Sequence, residues 1–295
     1  MKNKDIIIGI GEILWDVLPT GKVLGGAPAN FAYHSGQFGF EGYAISAVGK
    51  DELGKEIIEN LKRKKLNYIL PEIDFPTGTV NITLDENGIP CYEICENVAW
   101  DNIPIIPEAE DIARKAKAIC FGSLAQRNEI SRKSIRHIIR LVPKESLRIF
   151  DINLRQHCYT TDTVRESISH CNILKINDEE LITVSRMFGY DTPDLQEICK
   201  RIVSDFKLEM LILTCGINGS YVFTPTSMSF QTTPQVKVVD TVGAGDSFTA
   251  AFCSAIIKGK DICEAHKIAV DTSAYVCSCA GAMPALPEKI TKIIS

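Results

Sequence analysis

Asp246 stands directly behind Gly243-Ala244-Gly245, between the β-branched run Val236-Lys237-Val238-Val239 and the helix-forming run Ser247 to Phe252. A strand, a tight glycine turn and a helix in that order aim free backbone N–H groups outward and add the positive end of a helix dipole, a combination that seats an anion such as phosphate. A carboxylate in the first turn of that helix is stabilised as a charge. It can also accept the proton of a hydroxyl lying beside the bound phosphate. Taken alone, the spacing equally describes an ordinary capped helix in which Asp246 serves backbone N–H groups.

A second glycine-rich site lies near the N-terminus, where Gly11-Glu12-Ile13-Leu14-Trp15-Asp16 precedes Gly25-Gly26-Ala27-Pro28-Ala29-Asn30. The glycine pair permits close backbone approach to a ligand, Pro28 suits the first turn of a helix, and Asn30 offers both a donor and an acceptor. Asp16 can accept from two neighbouring hydroxyls, as a carboxylate reads a sugar, or can cap a turn. One site for a polyol and one for phosphate make a group-transfer enzyme plausible. Other phosphate-binding patterns are missing: no Gly-Lys pair is followed by Ser or Thr, and Gly9-Ile10-Gly11 lacks the third glycine of the dinucleotide fingerprint.

The elements that must position these groups follow from periodicity. Ile6-Ile7-Ile8-Gly9-Ile10 reads as a strand buried on both faces, and similar runs recur at 118–122, 147–151, 172–176 and 209–214, with helical stretches around 178–188 and 193–206. A further helix is expected to start at a Ser131 cap and stop at Pro143. The pattern predicts a central parallel sheet with crossover helices. Two stretches, about 11–27 and 78–98, interrupt it and read as antiparallel strands, with turn chemistry at Asp85-Glu86-Asn87-Gly88. They are expected to form one small sheet, a lid over the carboxyl ends of the parallel strands. The basic run Lys62-Arg63-Lys64-Lys65 is expected to be the solvated end of a helix.

Composition narrows the partners. The 295 residues are 45% hydrophobic and 23% charged, with 32 basic and 37 acidic groups and a formal charge of -5, which gives no electrostatic reason to expect nucleic acid or an anionic membrane. No apolar run approaches the roughly 20 residues that span a bilayer, and no signal-peptide pattern opens the chain, so the cytoplasm is the expected compartment. The 11 cysteines are odd in number, scattered and without a CxxC, and are expected to be reduced.

Together these motifs resemble the ribokinase-like (PfkB-type) carbohydrate kinases, most of all the fructokinases, nearly end to end. Gly25-Gly26-Ala27-Pro28-Ala29-Asn30 with Gly49-Lys50-Asp51-Glu52-Leu53-Gly54 is similar to the family's N-terminal signature, and Asp240-Thr241-Val242-Gly243-Ala244-Gly245-Asp246-Ser247-Phe248 to its C-terminal one. The resemblance implies a single α/β domain with a three-layer ribokinase-like fold, a mostly parallel central sheet and a small β-sheet lid. It implies Asp246 as catalytic base, with Gly243, Ala244 and Gly245 stabilising the transferring phosphoryl group. Asp16, Gly25, Gly26 and Asn30 would hold the sugar, with Arg155 close to it, a surface ion pair being the other reading of that arginine. Asn177, Thr214, Gly216, Gly219, Thr241 and Gly245 would form the ATP site. Glu180 would reach Mg2+ through a water, although Asn177 and Glu180, three apart at a strand-to-helix junction, also fit a capping box.

The resemblance leaves some positions out of pattern. Ile152 stands where many relatives have proline, and Asp271-Thr272 where an asparagine often lines the adenine pocket. Asp240 and the Cys279-Ala280-Gly281-Ala282 turn are the groups available for a monovalent cation. The expected reaction is transfer of the γ-phosphoryl group of ATP to the 6-hydroxyl of fructose. The alternatives are a kinase for 2-keto-3-deoxygluconate, another sugar or a nucleoside, and a regulator that binds sugar or nucleotide without turning it over. A homodimer through the two lids is expected from the sheet edge such a lid exposes.

Overall fold

The computed structural model describes residues 4–19, 21–84 and 90–294. The first half of the chain forms β1 (Ile6–Ile10), β2 (Leu14–Leu18), β3 (Gly21–Gly25), α1 (Ala27–Gln37), β4 (Glu41–Ile45), β5 (Val48–Gly49), α2 (Glu52–Lys64), β6 (Asn67–Ile69), β7 (Glu72–Ile73), β8 (Thr79–Leu84) and β9 (Pro90–Ile94). Then come α3 (Pro107–Ala113), β10 (Ala116–Phe121), α4 (Glu129–Leu141), β11 (Leu147–Asp151), α5 (Thr161–His170), β12 (Ile173–Asn177), α6 (Asp178–Phe188) and α7 (Leu195–Phe206). The chain closes with β13 (Met210–Thr214), β14 (Ser220–Phe223), β15 (Met228–Gln231), α8 (Ala244–Ile257), α9 (Ile262–Cys277) and α10 (Glu288–Thr291).

Nine strands form the main sheet in the order β15-β14-β13-β12-β11-β10-β1-β4-β6. Strands β13 through β6 run parallel, and β14 and β15 add an antiparallel edge. Side chains alternate between the faces with period two. Ile8, Ile10, Phe121, Phe150, Leu174 and Ile176 pack in the core with α4 to α7, whereas Ile7, Cys120, Ile149, Ile173 and Ile212 face α1, α8 and α9. The result is the three-layer arrangement expected from the sequence. The same alternation puts Asp151 and Lys175, at the carboxyl ends of β11 and β12, on the α8 side. The strand order reverses between β1 and β10, the position where an open α/β sheet leaves a crevice.

The second sheet has the order β3-β2-β8-β9. Two of its pairings are antiparallel as expected, but β2 and β8 pair in parallel, Trp15 opposite Thr79. Both strands leave the main body in the same direction, which local hairpin chemistry cannot reveal. The expected turn at 85–88 lies outside the described residues. Asp51 ties this sheet down: it caps α2 by accepting from Gly54 N at 2.8 Å and also accepts from Thr77 N at 2.8 Å and Thr77 Oγ1 at 2.6 Å, just before β8. The Gly49–Gly54 signature is therefore a structural knot.

Two further expectations need correction. Residues 236–240 form no strand; Val239 and Asp240 instead donate to Cys277 O, at 2.8 and 3.2 Å, alongside α9. The cap of α4 is Asn128, which accepts from Ile130 N, while Ser131 is buried and joins Trp100 O to Ile103 N. Both residues are cap formers, and the packing of the short helical turn at 99–101 against α4 distinguishes them. The run 62–65 closes α2 with all four residues exposed, as expected, and Lys64 in addition donates to Met283 O at 2.7 Å. Among the described residues no helix is long and apolar enough to cross a membrane.

Candidate active site

Among the described helices of ten residues or more, only α1 and α8 begin without a side-chain cap. Both start on a glycine. Gly26 (φ 125°) and Gly243 (φ 77°) occupy backbone regions that L side chains rarely adopt. Apart from Ala244 N, which donates to Thr241 O at 3.3 Å, and Pro28, which has no N–H, the first-turn N–H groups lack a side-chain partner and can face a ligand. These two termini meet: Asn30 of α1 donates through Nδ2 to Asp246 Oδ2 of α8 at 2.8 Å.

Buried acids surround that contact. Burial and the nearby Asp151 charge push Asp246 up to about 6, against the Asn30 hydrogen bond and the charges of Lys175 and Arg155. That value leaves the carboxylate ionised yet basic near neutral pH, as a general base requires. Glu12 is 2% exposed. Burial, opposed by its own backbone N–H and reinforced by the Asp246 charge, pushes it up to about 7. Glu12 Oε2 and Asn30 Oδ1 are buried oxygens without hydrogen-bond partners among the described residues, the kind of deficit that a bound hydroxyl or water removes. Asp16, half-buried on β2, is raised by burial and lowered by Arg155. A Cβ on Gly25 would lie 2.6 Å from Asp16 Oδ2, so only glycine lets that carboxylate stand where it does.

Under the Gly243–Gly245 turn lies a charged pair that the sequence reading missed. Lys175 Nζ is 3.0 Å from Asp151 Oδ1, and Thr249 Oγ1 donates to Asp151 Oδ2 at 3.2 Å. A Cβ on Gly245 would fall 2.8 Å from Lys175 Nζ. Burial pulls the lysine pKa down, but Asp151, Glu180 and Asp246 outweigh it and leave it above the usual value. A fixed positive charge thus backs the turn. The available signal was a lysine inside an otherwise apolar strand, and Glu12 gave a similar one beside Gly11.

The remaining predicted residues line the same carboxyl edge. Asn177 and Glu180 form a capping box, with Glu180 N donating to Asn177 Oδ1 at 2.8 Å and Asn177 N to Glu180 Oε2 at 3.0 Å. Glu180 Oε1 accepts from Leu154 N at 2.9 Å, so each carboxylate oxygen already holds one backbone donor. Thr214 pairs in register with Asn177. Gly216 and Gly219 follow with φ of 53° and 96°. Thr241 opens the α8 turn and accepts from Ala244 N at 3.3 Å. Arg155 is exposed and forms none of the ion pairs found among the described residues; it rides on a loop where Asn153 (φ 43°) and Gln156 (φ 44°) are both left-handed, strain of the kind that collects at ligand sites. Ile152, out of the family pattern, donates its N–H to Lys175 O at 3.1 Å, a bond that proline could not make. Asp271 is engaged by Lys267 on the surface of α9. Asp240 accepts from Val242 N and Gly281 N, at 3.0 Å each.

Replacing Gly243 with alanine should expose how tightly this turn is built. The new Cβ would lie 2.7 Å from Ala282 O and 2.8 Å from Ala282 Cα, on a residue at positive φ. We expect a loss of stability of about 2 kcal/mol or more, read in urea unfolding. Stability within about 0.5 kcal/mol of wild type, the usual range for inconsequential substitutions, would show that the turn relaxes freely.

Comparison with known proteins bears on the family and the fold. The chain is 27% identical over 301 residues to the ATP-dependent 6-phosphofructokinase of Thermoanaerobacterium thermosaccharolyticum, covering 96% of this chain and 91% of the relative. It is 27% identical over 317 residues to "Probable fructokinase-5" of Arabidopsis thaliana, covering 97% and 96%. A sugar kinase of Pyrococcus horikoshii, solved in complex with ATP, superposes with a TM-score of 0.81 at 25% identity over 98% of this chain and 100% of that one. The model of the pfkB family carbohydrate kinases matches residues 14–289, and with the two glycine-started helices meeting at Asn30 and Asp246 the chain belongs to that family.

Proposed function

We propose that the protein transfers the γ-phosphoryl group of ATP to a sugar hydroxyl, with the 6-hydroxyl of fructose as the acceptor. The observation that carries this reading is the contact between Asn30 and Asp246 at two helix N-termini free of side-chain caps. Asp16, Gly25, Gly26 and Asn30 hold the sugar, and the unpartnered Asn30 Oδ1 takes one of its hydroxyls. Arg155 adds a positive charge at the mouth of the site. Asn177, Thr214, Gly216, Gly219 and Thr241 bind the nucleotide. Asp246 accepts the proton as the sugar oxygen bonds to phosphorus and the bond to ADP breaks. The amides of Gly243, Ala244 and Gly245, backed by Lys175, stabilise the phosphoryl oxygens. The small sheet acts as a lid that keeps water from ATP.

No three His, Cys, Asp or Glu side chains cluster as a metal cage among the described residues, a donor set that suits Mg2+ carried on the nucleotide phosphates with its waters retained. Glu180, with one lone-pair position left on each oxygen, would hold such a water. When bound, the ion neutralises charge on the β- and γ-phosphates.

Acceptor choice is the finer part of the proposal. The Arabidopsis relative is named a fructokinase and the Thermoanaerobacterium relative a 6-phosphofructokinase, so phosphorylated and free sugars both belong in the test. Arg155 is the group that would pair with an acceptor carboxylate or phosphate. Fructose, tagatose, fructose 6-phosphate, 2-keto-3-deoxygluconate and adenosine should be compared by kcat/KM, with the product identified by phosphorus NMR. Highest kcat/KM on fructose with a 6-phosphate product is expected. A higher value on any other acceptor would replace fructose and leave the kinase reading standing.

A further inference from the structure

Helix α1 carries more than Asn30. One turn further on, at the i+4 position on the same helix face, His34 is fully buried. Its Nε2 lies 2.8 Å from Ala282 O. A carbonyl only accepts, so Nε2 carries the proton, and Nδ1 is left to accept from Gln37 Nε2 at 3.2 Å. Burial holds the ring at about 4, well below the ordinary histidine value and against the pull of the Ala282 carbonyl, so it is neutral in the physiological range. The same segment is gripped at three more points. Gln37 Nε2 donates to Pro284 O at 3.3 Å, Gln37 Oε1 accepts from Leu286 N at 2.7 Å, and Lys64 donates to Met283 O at 2.7 Å.

Ala282 has a second neighbour. It forms the wall against which Gly243 packs, since a Cβ there would meet Ala282 O at 2.7 Å and Ala282 Cα at 2.8 Å. Gly281 N, one residue earlier, donates to Asp240 Oδ2 at 3.0 Å. The peptide between 281 and 282 is therefore pinned between α1 on one side and the 240–243 turn on the other.

We propose that His34 is a positioning residue for phosphoryl transfer, clamping Ala282 from α1 so that the turn at Gly243 is held in register with Asp246. One helix then sets the base through Asn30 and the phosphoryl seat through His34. His34 touches none of the groups assigned to sugar or nucleotide. The inference rests on the reading of Gly243–Gly245 as that seat. Misplacing the turn by a fraction of an ångström weakens stabilisation of the transferring group while leaving Asp16, Gly26 and Asn30 in place to bind the sugar.

The test is steady-state kinetics of His34→Leu, His34→Gln and Gln37→Leu beside wild type, with Mg-ATP and the best acceptor. For His34→Leu we expect kcat to fall about tenfold or more while the sugar KM stays within about twofold. His34→Gln keeps an N–H that can reach Ala282 O and should regain most of the lost kcat. A folded His34→Leu with kcat within about twofold of wild type would overturn the proposal, as would a sugar KM that rises in step with the fall in kcat, or a His34→Gln as impaired as His34→Leu. Should His34→Leu fail to fold, Gln37→Leu decides: lower kcat at unchanged sugar KM supports the clamp, and unchanged kcat rejects it. Wild-type enzyme without turnover on any acceptor would remove the kinase reading and the clamp together, whereas turnover that ignores His34 and Gln37 removes the clamp alone.

Discussion

Asp246→Asn should retain its fold and lose on the order of 10²–10⁴ in kcat, the usual contribution of a positioned general base. Asparagine keeps an oxygen to accept from Asn30 Nδ2, which sits 2.8 Å from the carboxylate, so the junction of α1 and α8 should survive. The sugar KM should change little, because the lost interaction is made only in the transition state. In wild type, kcat/KM should fall as pH drops below about 6, where burial and Asp151 have placed the ionisation of Asp246. A variant that turns over at the wild-type rate would show that another group takes the proton.

The second large effect concerns stability. Glu12 is raised from 4.5 to about 7 by burial, with its own backbone N–H opposing and the Asp246 charge adding to the shift. A carboxyl raised in the folded state holds its proton there while the unfolded chain has lost it. Its contribution is therefore fully present below about pH 4.5 and is lost as pH rises through about 7. The shift corresponds to about 3 kcal/mol, taken as an order of magnitude. Glu12→Gln mimics the neutral acid at every pH. Its stability relative to wild type should be near zero at pH 4.5 and about 3 kcal/mol in its favour at pH 8, measured by urea unfolding at several pH values. A difference that does not vary with pH would mean that folding leaves the Glu12 ionisation at its ordinary value.

Five of the seven parallel strands were legible because each carries its own signal, whereas β4 (Glu41–Ile45) and the three-residue β6 (Asn67–Ile69), with Glu, Gly and Asn among their residues, were not read. A short apolar run such as Ile6–Ile10 or Met210–Thr214, buried on both faces, needs no knowledge of its partners to be read. Which strands pair was less accessible. The parallel contact of Trp15 with Thr79 joins segments more than sixty residues apart, and only the knot of Asp51 with Thr77 fixes where β8 starts. Residues 236–240 have strand composition, yet they bond to the end of α9 instead of to a sheet edge.

Similar reasons divide the site. Asp246 and Asn30 were legible because their glycine neighbours announce unusual backbone. Their direct contact was not, since it joins residues at opposite ends of the chain. Glu12 and Lys175 escaped because burial is a tertiary property. A glutamate after a strand and a lysine within an apolar one are a signal in the sequence, but their pairing and role show only when the α8 layer closes over them. Asn177 and Glu180 show the converse, for their capping box was visible in the spacing and is present in the fold.

The central claim is that a sugar hydroxyl is the acceptor and ATP the donor. ADP formation from Mg-ATP by the purified protein, followed with and without fructose and the other sugars, tests it most directly. The account predicts ADP release that depends on the sugar and yields one phosphosugar per ADP. Release at the same rate without any acceptor, or none with every acceptor in protein shown to be folded, would contradict it.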